Sequence, residues 1–171
     1  LSTERQDFLI AIAKPSRMTV LAKWKLLRKI PGGRRIFSWL LGQMAPYAGS
    51  IGAQIEELAP GSVRARMPDR RSLRNHLGSI HACALANLGE MSLGLAMTAL
   101  QPPNGRWIPV KLEVEYLKKA RGTLLASVEI ESRNWEEDGV WRLPCEIHDE
   151  VGDVVTRVWV EFKIGYRPAG R

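Results

Sequence analysis

Ser79-Ile80-His81-Ala82-Cys83-Ala84-Leu85-Ala86-Asn87-Leu88-Gly89-Glu90-Met91-Ser92-Leu93-Gly94-Leu95-Ala96-Met97-Thr98-Ala99-Leu100 is the long apolar run of the chain. It is apolar on every side, so as a helix it needs enclosure all round. At 1.5 Å per residue it extends about 33 Å. Glu90 sits at its middle. An acid at the centre of a membrane span costs about 2.5 kcal/mol or more, and Ala, Gly and Ser dilute the rest of the run. A buried core helix is therefore expected in preference to a transmembrane one. Gln101-Pro102-Pro103-Asn104-Gly105 ends it.

On either side of this run the apolar period is two. Ile51, Ala53 and Ile55 alternate in a first predicted strand, and Val63, Ala65 and Met67 alternate against Arg64 and Arg66 in a second. Pro60-Gly61 supplies the turn between them, and Pro68 to Gly78 is a polar loop. Four alternating segments follow the helix. Ile108, Val110, Leu112, Val114 and Tyr116 face one way in the first, and Leu124, Ala126, Val128 and Ile130 in the next. Trp141, Leu143, Cys145 and Ile147 form the third set, and Val154, Val158, Val160, Phe162 and Ile164 the fourth. The order β-β-α-β-β-β-β, with short connections, predicts an antiparallel sheet. Each strand has one apolar face, so one long helix laid against one curved sheet is the economical packing, an α+β fold.

Residues 1–44 read differently. Two amphipathic helical patterns, Val20, Leu21, Trp24, Leu27 and then Ile36, Phe37, Leu40, Leu41, Met44, are separated by Pro31-Gly32-Gly33. This stretch holds nine Lys/Arg and two Asp/Glu, so it carries the whole net charge of +7, while residues 45–171 hold sixteen of each sign. A basic helical arm on a neutral domain is the expected organisation. Such an arm either packs on the domain or makes weak contact with an anionic membrane surface. Leu1 to Ile10 contains Glu4, Arg5 and Asp7 where a signal peptide would need an apolar core, so none is expected there.

The 171 residues, 45% of them apolar, suffice for one ordinary domain and exclude a long disordered chain. Two cysteines, Cys83 and Cys145, exclude a disulfide framework and a four-thiolate zinc site, which points to a reducing, cytoplasmic setting. His76 and His81 are the one close pair of metal-ligand type, and their spacing straddles a loop and a helix start, so no metal is expected. No Gly-rich phosphate loop is present and no cofactor is expected. No recognition motif accompanies the basic charge, so nucleic acid is not expected as a partner.

Glu90 is the one charged residue between His81 and Gln101. A carboxylate enclosed in an apolar helix is costly unless it is paired, hydrogen-bonded or protonated. Burial would raise its pKa and suit it to act as a general base on water, or as a nucleophile towards a carbonyl. The alternative is structural: a carboxylate that caps, or that pairs with an Arg at an oligomer interface. His81 and Glu90 are nine residues apart. They therefore point to opposite sides of the helix, about 13.5 Å apart along its axis. One chain cannot join them, whereas two helices antiparallel across a two-fold axis can.

The segment from Asn75 to Glu90 resembles the motif of the hotdog-fold thioesterases related to phenylacetyl-CoA thioesterase. That motif has an Asn, a Gly three later, a His-Gly-Gly at the helix start and an acid nine residues after the His. Asn75, Gly78, His81 and Glu90 match in type and spacing, while Ala82-Cys83 replaces the Gly-Gly. The likeness runs from about Tyr47 to Tyr166. The whole chain, with Pro31-Gly32-Gly33 and Ala45-Pro46-Tyr47, is similar to a domain-of-unknown-function branch of that superfamily.

The resemblance implies a hotdog fold, an obligate homodimer or a tetramer built from it, and hydrolysis of an acyl-CoA thioester in a site shared between subunits. Glu90 would be base or nucleophile, and the Ala82 N–H would be the oxyanion donor at a helix N-terminus. His81 would orient the helix start beside Gly78. Asn75 would hold the attacking water or the thioester oxygen, or would serve as a turn residue. Coenzyme A phosphates would meet Lys118, Lys119 and Arg121 after the following strand, or Arg74 with its neighbours Arg70 and Arg71. Where related enzymes place a Ser or Thr on that strand, this chain has Pro109. A dehydratase of the same fold is less expected, since the His-Phe and Pro-rich approach to the helix is absent. The reading from another class is a non-catalytic acyl or acyl-CoA binder held at a membrane surface by the arm.

Overall fold

Thr19 starts the first helix, its hydroxyl accepting the Ala22 N–H at 3.2 Å. The computed structural model describes residues 18–131, 133–137 and 139–166. The expectation about Leu1 to Ile10 lies outside them, as does the start of the arm. Helix α1 (Val20–Leu27) turns through Pro31-Gly32 into α2 (Gly33–Met44), and α3 (Pro46–Gly49) follows with its proline in the first turn. A β-carbon on Gly33 would lie 1.7 Å from the Leu27 carbonyl oxygen, so the tight α1–α2 turn requires glycine there.

The arm shares the core of the rest of the chain. Trp24, Leu27, Phe37 and Leu40 are buried in the same cluster as the sheet residues, with the Trp24 and Phe37 rings edge to face at 5.0 Å. Two polar ties fix it. The Ser38 hydroxyl accepts the Ile55 N–H at 2.8 Å, and the Asn87 amide donates to the Tyr47 carbonyl at 3.0 Å.

The strands are β1 (Gln54–Ala59), β2 (Ser62–Met67), β3 (Gly105–Tyr116), β4 (Leu124–Glu129), β5 (Gly139–His148) and β6 (Val154–Tyr166). They form one antiparallel sheet in the order β1-β2-β4-β5-β6-β3. Helix α4 (Ala82–Leu100) crosses its concave face. The inward residues of β2, β4, β5 and β6, among them Val63, Met67, Leu124, Ile147, Val158 and Phe162, meet Leu85, Leu88, Leu93, Ala96 and Met97 of the helix, and all are buried. Each such Val, Leu, Ile, Phe or Met side chain contributes roughly 1.5–3 kcal/mol by leaving water. The fold is the α+β hotdog arrangement. Helix α4 is long and apolar enough to cross a membrane by length and composition, and the apolarity of its buried flank is accounted for by the sheet.

Four sequence expectations are corrected in detail. The helix begins at Ala82, with His81 as its cap, because Asn75 to Ile80 is held in a loop. The first strand begins at Gln54, after a turn in which Arg70 donates to the Ile51 carbonyl at 2.6 Å. A bulge between Ile55 and Glu57 then lets Ile55 and Leu58, three apart, both point inward. The third departure is in β3, where a bulge between Pro109 and Lys111 switches the parity of the strand. Trp107 pairs with Ile164 and Leu112 with Val160, so both share the helix side, while Ile108 pairs with Lys163 and faces outward. The last concerns the enclosure of the helix.

Candidate functional site

The described residues do not cover helix α4 all round. Ala82, Ala86, Glu90, Gly94 and Thr98, spaced by four, form a stripe that is partly or fully exposed. The sheet takes the opposite flank, and α2, α3 and the start of β1 close over this one only in part. What remains is a cavity of about 820 Å³, within the usual size of small-molecule sites. Glu90, Met91, Gly94, Leu95 and Thr98 form its floor, Trp39 and Met44 of the arm with Gly49 of α3 one wall, and Trp107 of β3 another.

Glu90 is half-buried in this wall, and burial raises its carboxyl above the usual glutamate range. Among the described residues no cation and no hydrogen-bond donor pairs with it. The structural alternative, a carboxylate spent on an Arg, is thus not realised among the described residues.

Asn75 organises the loop before the helix. Its Oδ1 accepts the Leu77 N–H at 2.9 Å and the Ser79 N–H at 3.2 Å, and its Nδ2 donates to the Ser79 hydroxyl at 3.0 Å. Gly78 turns the chain with φ of +70°, a conformation that glycine adopts without strain. His81 caps the helix, its Nδ1 accepting the Cys83 N–H at 3.1 Å. That leaves the exposed Ala82 N–H without a partner among the described residues. The Tyr116 hydroxyl donates to the Ala82 carbonyl at 3.3 Å.

The predicted residues fall into two groups. Asn75, Gly78, His81 and Ala82 gather at the helix start, and Glu90 stands about 13.5 Å further along the axis in the cavity wall. A single chain does not unite them. The cations proposed for coenzyme A also divide. Arg74 Nε lies 2.7 Å from Asp69, and Lys118 Nζ lies 2.8 Å from Asp149 and 2.6 Å from Asp153. Lys119 and Arg121 are exposed and make no ion pair among the described residues.

The cavity walls contributed by Trp39, Gly94 and Trp107 were not singled out by sequence. For Gly94 a signal existed, a glycine in the interior of an apolar helix, which weakens a helix unless space is needed. Trp107 was hidden by the bulge. Among the described residues no group of three or more His, Cys, Asp or Glu is placed to hold a metal ion. Cys83 and Cys145 are both free thiols, and burial pushes Cys145 up to about 12.

The family described as domain of unknown function DUF4442 matches residues 33–164. The chain belongs to the DUF4442 family. The DUF4442 match begins inside the arm, at the first residue of α2. A candidate esterase of Halobacterium salinarum, VNG_1336C, is 31% identical over 85 residues, which are 47% of this chain. The match spans 56% of that relative, so the chain corresponds to about half its length. A crystal structure known as genomics APC5556 is 29% identical, covers 94% of this chain and 99% of its own, and superposes with a TM-score of 0.75. A Pseudomonas aeruginosa protein of unknown function described as a probable thioesterase, PA5026, shares the fold. It is 22% identical with a TM-score of 0.71, over 81% of this chain and 97% of its own. This DUF4442 chain shares its hotdog fold with these structures.

Proposed function

We propose that this protein hydrolyses acyl-CoA thioesters, with Glu90 as general base in a site completed by a second copy of the chain. The supporting observation is a half-buried carboxylate with no counter-ion among the described residues, set in the wall of a large apolar cavity. Apolar surroundings suit an acyl or aryl group, and an unpaired carboxylate of raised pKa suits proton abstraction near neutral pH.

In the proposed reaction Glu90 takes a proton from water as the water oxygen bonds to the thioester carbonyl carbon. The resulting oxyanion is stabilised by the Ala82 N–H of a second copy, at the positive end of its helix. Collapse breaks the carbon–sulfur bond, and the departing thiolate recovers the proton from Glu90. The products are a carboxylic acid and free coenzyme A. Asn75 and Gly78 hold the loop that presents the amide, and His81, by accepting from Cys83, directs the first turn. Lys119 and Arg121, free of carboxylate partners among the described residues, are the better candidates for the phosphates, with Lys118 and Arg74 beside them.

The edge strand β3 supports pairing of two copies. Ile108, Val110, Leu112 and Tyr116 expose about half of their surface or more, on a twelve-residue strand with no strand beyond it among the described residues. A long apolar edge left unpaired is an aggregation hazard, and a partner strand removes it.

The test is thiol release from a panel of acyl-CoA thioesters. Glu90→Gln is expected to lower kcat about 10²–10⁴-fold with the oligomer retained and the fold at least as stable as wild type. Turnover equal to wild type removes Glu90 from the reaction.

A second reading, an acyl or acyl-CoA binder at a membrane surface, is favoured by two observations. Pro109 offers no hydroxyl to position a water. The arm exposes Leu26, Ile30 and Trp39 among its cations. Tight acyl-CoA binding without thiol release, together with co-sedimentation on anionic vesicles, would select it.

A further inference from the structure

Helix α4 contains two interior glycines whose surroundings differ. A β-carbon on Gly89 would collide with the Val158 side chain at 2.5 Å, so Gly89 is required by packing of the helix on the sheet. A β-carbon on Gly94 would meet only Trp107 Cη2, at 3.5 Å, an ordinary contact. Nothing in the fold therefore demands glycine at position 94, and a helix interior is better served by alanine. What the missing side chain spares is cavity. Gly94 lies in the floor one turn beyond Glu90, and Thr98 lies one turn further, so the floor runs about 12 Å along the axis.

We propose that this trough, walled by the chain's own arm, is the binding site for the apolar tail of the ligand, and that Gly94 sets the length of tail it accepts. The assignment of the ligand as an acyl thioester rests on the reading of Glu90 given above. The thioester carbon lies at Glu90 and the tail runs from there over Gly94 towards Thr98, beneath Trp39 and beside Trp107. This direction leads away from Ala82, so the tail does not compete with a second copy that presents its amide to Glu90. The substrate class is a medium- or long-chain acyl group. A short acyl group would leave most of the trough unfilled and gain little from burial.

The experiment uses the full chain as wild type, Gly94→Ala and Gly94→Leu. Thiol release is measured with acetyl-, octanoyl- and palmitoyl-CoA. In parallel, brominated stearic acid is titrated against tryptophan fluorescence, a readout of tail binding that needs no turnover because Trp39 and Trp107 line the trough. Wild type is expected to favour the longer thioesters and to be quenched. In Gly94→Leu the palmitoyl-to-acetyl ratio of kcat/KM is expected to fall about tenfold or more, with quenching weakened in step. Gly94→Ala falls between them and melts at or above wild type, so it carries the test should the leucine variant not fold. An unchanged length profile and unchanged quenching in folded Gly94 variants overturn the tail site and leave the role of Glu90 standing. No thiol release from wild type, with quenching lost in the variants, does the reverse: the tail site stands and the hydrolase reading falls.

Discussion

Gly89 of α4 and Val158 of β6 approach so closely that no side chain fits between them: a β-carbon on Gly89 would lie 2.5 Å from Val158 Cγ2. Valine is stiff at χ1 and fully buried here, so it has little room to yield. Gly89→Ala is expected to destabilise the protein by about 1–3 kcal/mol, since overpacking outweighs the gain in helix propensity. Urea denaturation checks this, and wild-type stability in the variant would contradict the close packing.

Glu90 links stability to pH. Its pKa is raised in the fold by burial, so the folded state binds the proton more readily than the unfolded chain. Its contribution is therefore fullest below the ordinary glutamate range and is lost as the pH rises through the raised value. Glu90→Gln removes that loss. The variant is expected to melt above wild type at neutral and alkaline pH and level with it in acid; equal melting at every pH would contradict the desolvation of Glu90.

Asp69 behaves in the opposite sense. The hydrogen bond from Arg74, together with the Gly122 N–H, holds its carboxyl below the usual range. The tie is present above the ordinary aspartate range and is lost as the pH falls through the depressed value. Asp69→Asn is expected to speed amide exchange at Gly122 and across residues 69–81 at neutral pH, an effect that fades in strong acid. Exchange rates identical to wild type would show that the loop is held by other contacts.

Phe37 is buried against Trp24 and belongs to the common core. Phe37→Ala is expected to cost about 3–5 kcal/mol and to shift a single cooperative transition. A separate low transition, with the main one unmoved, would show that the arm melts as an independent unit.

The helix, the succession of elements along the chain and the in-out pattern of β2, β4 and β5 were legible because burial imposes periods of 3.6 and 2 on apolar residues; the order of strands within the sheet was not. The bulges were not. Inserting one residue into β1 or β3 leaves the amino-acid pattern plausible while reversing which face follows, and only the partner strand reveals the slip. Ile108 was placed on the face of Leu112 for that reason, and Trp107 went unnoticed. The loop from Asn75 was legible in part, since Asn and Gly both suit turns, yet its internal hydrogen bonds were not.

The sequence by itself determined a long apolar helix with one acid at its centre, an antiparallel sheet to bury it and a basic amphipathic segment ahead of both. These follow from local periodicity and composition. Tertiary structure alone decided that the arm roofs the helix, that the acid lacks a counter-ion within the described chain, and that Gly94 guards empty space where Gly89 guards contact. Such distinctions depend on which distant segments converge on a residue, and neighbours along the chain carry no record of that convergence.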